Sequence, residues 1–155
     1  MRNWNEFTKY LSLNFDEQAW ADYSCLYGDE LIQSFDEEDW NKLLQEWEQQ
    51  EKTWQRRCAE ALGNADDGAA IGVASAMILT ACDPVAICAA DSLRVLLASH
   101  RAVISEAVRE RIHYLRQTAS GLTNDMLSAL EKRCQVPFWQ NRQDTVAFVQ
   151  ERALR

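Results

Sequence analysis

The chain has 155 residues, of which 47% are hydrophobic and 26% are charged, and its formal net charge at neutral pH is −8. These values fit one globular domain spanning residues 1–155 and exclude a disordered acidic tail. Five glycines and two prolines are too few turn residues for an all-β domain. The composition therefore predicts an all-α protein.

The charge is divided unevenly along the chain. Residues 1–51 hold 13 acids against three bases, whereas residues 52–155 hold 11 acids against 13 bases. Five of the six tryptophans also lie between positions 4 and 54. Acidic charge attracts a basic surface, and Trp and Tyr are frequent interface anchors. The acidic, aromatic-rich residues 1–51 therefore indicate a protein-binding surface.

Capping residues predict where the first helices begin and end. Asn3 and Glu6 predict a first helix over residues 4–13. Acids at positions 16 and 17 begin a second helix, which Gly28 would end. Residues 34–37 then fit a capping box, with further acids in the first turn of the helix that follows.

Residues 35–62 contain no Gly or Pro and predict one long helix. Trp40, Trp47 and Trp54 repeat every seven residues on its apolar face, which favours core positions for Trp40 and Trp54. Glu51 interrupts this apolar face, so we expect a kink, a helix crossing or an exit from the core there. Trp47 and Glu51 are contact candidates, and the choice between contact and core stays open for Trp47.

The remaining elements follow from acidic and Asp-Pro starts. A stripe of small residues, Gly68, Gly72 and Ala76, predicts the close approach of another helix. The expected helices are one from Asp66-Asp67 to about residue 81, one beginning at Asp83-Pro84, one over 101–119 ended by Gly121, one reaching about Cys134, and, after a break at Pro137, one over 142–154.

A short internal repeat lies within residues 54–97. Two stretches share the pattern small-small-acid-small-Leu at an offset of 31 residues: Cys58-Ala59-Glu60-Ala61-Leu62 and Ala89-Ala90-Asp91-Ser92-Leu93. With Asp83-Pro84-Val85, this segment resembles the helical hairpins of HEAT-like repeats of the phycobilisome-lyase type. The resemblance implies hairpins that stack through small residues. The expected fold is a single-domain helical bundle or short HEAT-like solenoid of about six to eight helices, with C-terminal helices over 101–155.

No constellation of catalytic or metal-binding residues competes with the acidic surface. Glu110 and His113 have the spacing of di-iron bundles, which need that motif twice and two further glutamates. Cys82, Cys88 and His100 lack the ligand spacing of zinc sites. Nucleophile motifs and glycine-rich phosphate loops are absent from the sequence. We therefore expect no enzyme activity, no cofactor and no metal.

The sign of the charge and the lack of a leader predict the partner and the compartment. Nucleic acid and membrane surfaces attract basic proteins, so both are disfavoured as partners. The first residues lack the apolar core of a signal peptide, and the longest uncharged run, residues 68–82, is too short to span a bilayer. The expected location is cytoplasmic, with five reduced cysteines that are mostly buried.

In size, charge and the HEAT-like segment, the chain is similar to the small acidic immunity proteins that bacteria pair with toxins. That resemblance implies a protein that binds and neutralises a cognate toxin, often a basic nuclease, through its acidic face. The alternatives are a HEAT-like scaffold or adaptor and, third, an enzyme that uses the carboxylates. The expected partner-binding residues are Asp29, Glu30, Asp36, Glu37, Asp39, Glu46, Trp47 and Glu51.

Overall fold

The computed structural model describes residues 2–135, which form a single compact helical domain without strands. Eight helices of nine or more residues lie in this part of the chain, as the composition predicts. The expected helix over 142–154 and the break at Pro137 lie outside the described residues. The helices are α1 (Arg2–Leu11), the short α2 (Glu17–Ala19), α3 (Cys25–Gln33), α4 (Glu37–Glu46), α5 (Lys52–Leu62), α6 (Ala69–Thr80), α7 (Asp83–Ser99), α8 (Glu106–Thr118) and α9 (Gly121–Gln135).

The second predicted helix begins where expected but runs past its predicted end. Asp16 caps α2 by accepting a hydrogen bond from the backbone N–H of Ala19 at 2.7 Å. α2 then continues through a π-helical turn, Trp20–Ser24, into α3. Gly28 lies inside α3, where an added Cβ would come within 3.3 Å of the Trp20 ring. Glycine is present here because the indole packs against the backbone, and not because the helix ends.

The predicted long helix over residues 35–62 is wrong, because the chain breaks at its centre. α4 ends at Glu46, a 3₁₀ turn spans Trp47–Gln49, and Gln50 has an extended backbone before α5 begins. The amide of Gln55, itself buried, donates to the carbonyls of Trp47 at 3.2 Å and Gln50 at 3.1 Å. These bonds satisfy the carbonyl groups that the end of a helix leaves without partners.

The later helices follow the predicted order with shifted boundaries. Asp67 accepts from the N–H of Ala69 at the start of α6, and Pro84 lies in the first turn of α7. Ser105 caps α8, so that helix begins five residues later than predicted. Gly121, with φ of 58°, begins α9 instead of ending α8. Gly72 is exposed with nothing within 4 Å of an added Cβ, so the predicted close approach there is wrong.

The helices alternate between two layers. In one layer α5 packs between α3 and α7, and α7 packs on α9. In the other layer α6 packs on α4 and α8. This alternation is compatible with a helical repeat-like fold, in which equivalent positions of successive repeats share one surface.

The tryptophans of the first third form core and not surface. Aromatic rings meet edge to face there, for example Phe7 with Phe35 at 5.1 Å between centroids. Core positions are confirmed for Trp40 and Trp54, whereas the use of these tryptophans as interface anchors is wrong. Five indoles are buried, each at most 5% exposed: Trp4, Trp20, Trp40, Trp47 and Trp54.

Candidate protein-binding surface

Asp36 and Asp39 form the capping box of α4, two residues later than the box predicted over residues 34–37, and Asp39 is buried there. The N–H of Asp39 donates to Asp36 at 2.9 Å, and the N–H of Asp36 donates back at 3.3 Å. Asp39 also accepts from the N–H of Trp4 at 3.0 Å, so one carboxylate caps both α4 and α1. Burial alone would raise the pKa of Asp39, but the hydrogen bonds that it accepts outweigh burial and lower the pKa. Asp39 is therefore a structural residue, and its expected contact with a partner is wrong.

Trp47 and Glu51, predicted to lie together, are separated by the break between α4 and α5. The Trp47 side chain is 2% exposed, so its role as a contact is wrong. Glu51 precedes α5 with an extended backbone and is exposed. The break between α4 and α5 therefore places the Trp47 side chain in the core and the Glu51 side chain at the surface.

Three other predicted contact residues keep exposed carboxylates. Glu30, Asp36 and Glu37 are exposed, and within residues 2–135 none of them forms an ion pair. Glu46 differs, because it pairs with Lys42 one turn earlier at 2.5 Å. Among the predicted contact residues, the exposed carboxylates without an ion pair within residues 2–135 are therefore Glu30, Asp36, Glu37 and Glu51.

An apolar strip accompanies Glu30 on α3. Tyr23 is 76% exposed and Leu26 is 61% exposed. With the half-exposed Tyr27 and with Glu30, they follow the i, i+3, i+4, i+7 spacing of one helix face. The hydroxyl of Tyr27 donates to Glu6, which raises the pKa of Tyr27. Leu26 was not predicted as a contact residue, although its helical spacing from Tyr23 and Glu30 in the sequence could have indicated it.

The repeat at an offset of 31 residues has a third, earlier copy that the two matching stretches alone did not indicate. Residues 27–31 read Tyr-Gly-Asp-Glu-Leu, so three helices carry a small residue, an acid and a leucine at matching positions. The small residues and the leucines are buried. Of the three acids, the first is partly buried and the other two are exposed. The matching sets are Gly28, Ala59 and Ala90; Leu31, Leu62 and Leu93; and Asp29, Glu60 and Asp91.

Small residues bring α5 and α7 into close contact. The hydroxyl of Ser92 donates to the carbonyl of Ala59 at 2.5 Å. An added Cβ at Gly63 would come within 3.1 Å of the Ser92 Oγ atom. The two copies recognised in the sequence therefore pack directly on each other, as the resemblance to stacked hairpins implies.

The three acids Asp29, Glu60 and Asp91, here called the carboxylate row, lie across α3, α5 and α7. Burial raises the pKa of Asp29 to about 6, with a further contribution from the charge of Glu60 that is opposed by a hydrogen bond from Asn64. Glu60 accepts from the indole N–H of Trp20 at 2.7 Å. Asp91 accepts two hydrogen bonds from Arg94, at 2.7 and 2.9 Å. Hydrogen bonds therefore orient Glu60 and Asp91, and the charge of Glu60 acts on Asp29.

An open groove of about 470 Å³ adjoins the row between α5, α7 and α9. Its charged lining residues are Glu60, Asp91 and Arg94. Its apolar lining includes Ile87, Met126 and Leu122, of which Leu122 is 87% exposed. The groove therefore combines exposed apolar surface with negative charge, which suits a ligand that is both basic and apolar.

Burial affects the thiols of Cys58 and Cys88, and His113 is paired with a carboxylate. Burial raises the pKa of Cys88, which lines the groove, to about 11, and that of the fully buried Cys58 is raised further. His113 pairs with Glu131 of α9 at 2.8 Å instead of Glu110. Within residues 2–135 no group of three or more potential ligands could hold a metal ion. Burial therefore keeps the thiols of Cys58 and Cys88 protonated at neutral pH, which makes them weak nucleophiles.

No protein-family model matches the chain, and comparisons with curated proteins and with solved structures find no significant match. Among the described residues, no helix combines the length and the apolar character that a bilayer crossing requires.

Proposed function

We propose that this protein is a non-enzymatic binding module whose partner presents a basic surface. The observation that carries this proposal is the exposed face of the π-helical turn and α3, where Tyr23 and Leu26 lie beside Glu30, which forms no ion pair within residues 2–135. Tyrosine and apolar side chains supply contact area, and the surrounding charge steers the encounter and sets specificity.

Within this class we propose an immunity protein that neutralises a cognate toxin, such as a basic nuclease. A nuclease active site attracts phosphate, so exposed carboxylates can occupy it as phosphate mimics. The exposed acids Asp36, Glu37 and Glu51 support this proposal. The second candidate, a scaffold or adaptor, is favoured by the two-layer alternation of the helices, because repeat proteins offer extended binding surfaces.

The test of function begins with the partner itself. Immobilised protein is exposed to an extract of the source organism, and mass spectrometry identifies what it retains. Purified partner is then used for association kinetics at low and high salt. An immunity protein requires that the partner be toxic alone and inactive in the complex. A non-toxic partner would rule out the immunity protein and favour the scaffold or adaptor. A partner with an acidic surface would overturn the proposed binding module itself.

A matched pair of variants separates local charge from net charge. Glu30→Gln with Glu37→Gln removes one exposed acid from a helix interior and one from the first turn of a helix. Glu106→Gln with Glu110→Gln makes the same change on α8, where both glutamates are exposed. The first pair should slow association roughly tenfold at low salt and much less at high salt. Equal effects from the two pairs would contradict a binding site on α3 and α4.

A further inference from the structure

We infer that the carboxylate row and its groove bind one extended segment of the partner, with a basic side chain at every third position followed by an apolar side chain. This inference rests on the proposed function and names the ligand that this edge of the molecule would take. The row supplies three acids on three neighbouring helices, and the groove supplies an apolar wall formed by Leu122 and Met126.

The spacing of the row selects the spacing of the basic residues. Packed helices lie roughly 8–10 Å apart, and the acids occupy equivalent positions on α3, α5 and α7. An extended segment in the polyproline II conformation has three residues per turn and rises about 3.1 Å per residue, so every third side chain lies on one face at intervals of roughly 9 Å. Lys or Arg at every third position therefore places one cation against each of Asp29, Glu60 and Asp91.

The groove selects an extended segment and one apolar side chain. A helix is about 10 Å or more across with its side chains, whereas the groove has a volume of about 470 Å³ and suits a few side chains. The exposed Leu122 and the partly buried Met126 offer apolar surface there. An apolar residue placed just after the last basic residue would cover that surface.

The bases near the row leave its negative charge available. Arg56 lies closer to Glu17, at 3.2 Å, than to Glu60, at 4.0 Å. Arg94 pairs with Asp91 within one turn of α7, and both side chains are about half exposed. Exposed pairs of this kind are weak and exchange readily with an incoming cation. Asp29 interacts with the amide of Asn64 and has no basic partner within residues 2–135.

Two synthetic peptides provide the probes. One carries arginine at every third position followed by leucine, with serine and threonine elsewhere. The other has the same composition with its arginines consecutive, so both have the same net charge. We expect the spaced peptide to bind the full chain at least roughly tenfold more tightly than the clustered one, because only its cations match the row.

NMR signals locate the bound peptide, and each has a control in the same protein. The indole N–H of Trp20 reports on Glu60, whereas that of Trp54, bonded to the carbonyl of Thr8, reports on the core. The methyl group of Met126 reports on the groove, whereas Met77 is fully buried. The signals of Trp20 and Met126 should shift during titration, while those of Trp54 and Met77 should not.

A charge-matched pair of variants completes the test. Glu60→Gln with Asp91→Asn keeps shape and the acceptor for Trp20, and it should weaken the spaced peptide roughly tenfold. Glu110→Gln with Asp66→Asn removes two exposed acids elsewhere and should change affinity less than twofold. Equal binding of the two peptides, or equal effects of the two variant pairs, would overturn the inference in favour of net charge alone.

Two further results separate this inference from the proposed function. If the natural partner responds to Glu30 and Glu37 but not to Glu60 and Asp91, the row is not the binding site and the binding module remains. If no acidic variant slows the partner, both proposals fail. Tighter binding of a helical peptide with basic residues at every seventh position would overturn the extended conformation.

Discussion

Helices α1 to α4 pack through large aromatic rings, whereas α5 and α7 pack through alanine, serine and glycine. In the first region Phe7 contacts both Phe35 and Trp54 edge to face. In the second, Ser92 and Gly63 bring two helix backbones together. Both the π-helical turn and the 3₁₀ turn of residues 2–135 lie before α5. Large rings fill irregular spaces, while small residues bring helices close only where the repeat keeps its spacing.

The largest expected effect tests whether the aromatic region is a core. Trp47→Ala removes a fully buried indole and should lower the free energy of unfolding by about 3–5 kcal/mol. Urea unfolding followed by circular dichroism measures this loss. Partner affinity, measured where the variant is still folded, should be unchanged. A stable variant that no longer binds would restore Trp47 as a contact.

The second prediction concerns Arg57, which is buried among the aromatic rings. Arg57 donates to the carbonyls of Leu11 at 2.8 Å, Leu13 at 2.7 Å and Phe15 at 3.0 Å. Its guanidinium also lies 4.9 Å from the ring centroid of Trp20. Arg57→Met leaves carbonyl groups without donors and should cost about 3 kcal/mol of stability.

Its neighbour Arg56 provides the control for this change. Arg56 is about one-third exposed and pairs with Glu17, so Arg56→Met should change stability by less than about 1 kcal/mol. Thermal melts of the two variants give the comparison. Equal losses would mean that the charge, and not the set of carbonyl partners, is what stabilises the protein.

The third prediction uses the same substitution at two glycines and expects opposite signs. Gly63→Ala places a methyl group against Ser92 and should destabilise by about 1 kcal/mol or more. Gly72→Ala adds a methyl group to an exposed helix position with open space around it and should stabilise by up to about 1 kcal/mol. Chemical denaturation decides the signs. Stabilisation by both substitutions would show that α5 and α7 pack loosely.

The smallest effect is a pH dependence at the edge of the repeat. The pKa of Asp29 rises from 3.8 to about 6 on folding, so the folded state keeps a proton that the unfolded chain has lost. The proton on Asp29 therefore stabilises the folded state fully below about pH 4, and this contribution to the free energy of unfolding is lost as the pH rises through 6. Because solvent reaches the Asp29 side chain, the expected decrease in the free energy of unfolding is about 1 kcal/mol, which is less than the change in its pKa alone implies.

Replacing the titrating group checks the assignment of this pH dependence. Asp29→Asn should flatten the change in stability between pH 4 and pH 7, measured by urea unfolding at several pH values. Glu30→Gln, at the exposed neighbouring position, should leave the profile of the parent protein intact. A profile that is insensitive to Asp29→Asn would assign the pH dependence to other carboxylates.

The sequence predicted the helix content and most helix starts because these depend on local chemistry. Asp16, Asp67 and Pro84 act within one turn of their own positions. The interruption of the apolar face at Glu51 indicated a kink or helix crossing before α5, but the complete break could not be predicted, because Gln55 stabilises it from inside the next helix. Nor could the position of Asp39, whose partner Trp4 lies 35 residues away in sequence.

The candidate surface was predicted in part. Charge density correctly indicated exposed acids at Glu30, Asp36 and Glu37, because solvation of charge depends little on the fold. Trp47 was a contact candidate because Glu51 interrupts the apolar face beside it in sequence, but the break between α4 and α5 separates the two side chains and leaves Trp47 buried. The carboxylate row was missed at Asp29, because Tyr27 and Glu30 replace two of the small residues of the pattern shared by the other copies.

The contacts of Arg57 also set the order in which the protein can be completed during synthesis. A nascent chain that ends before α5 lacks the guanidinium that satisfies the carbonyls of Leu11, Leu13 and Phe15. The end of α1 and the loop after it therefore reach their final form only once α5 has left the ribosome and docked. The aromatic third depends on the repeat segment, so it should not fold when produced alone.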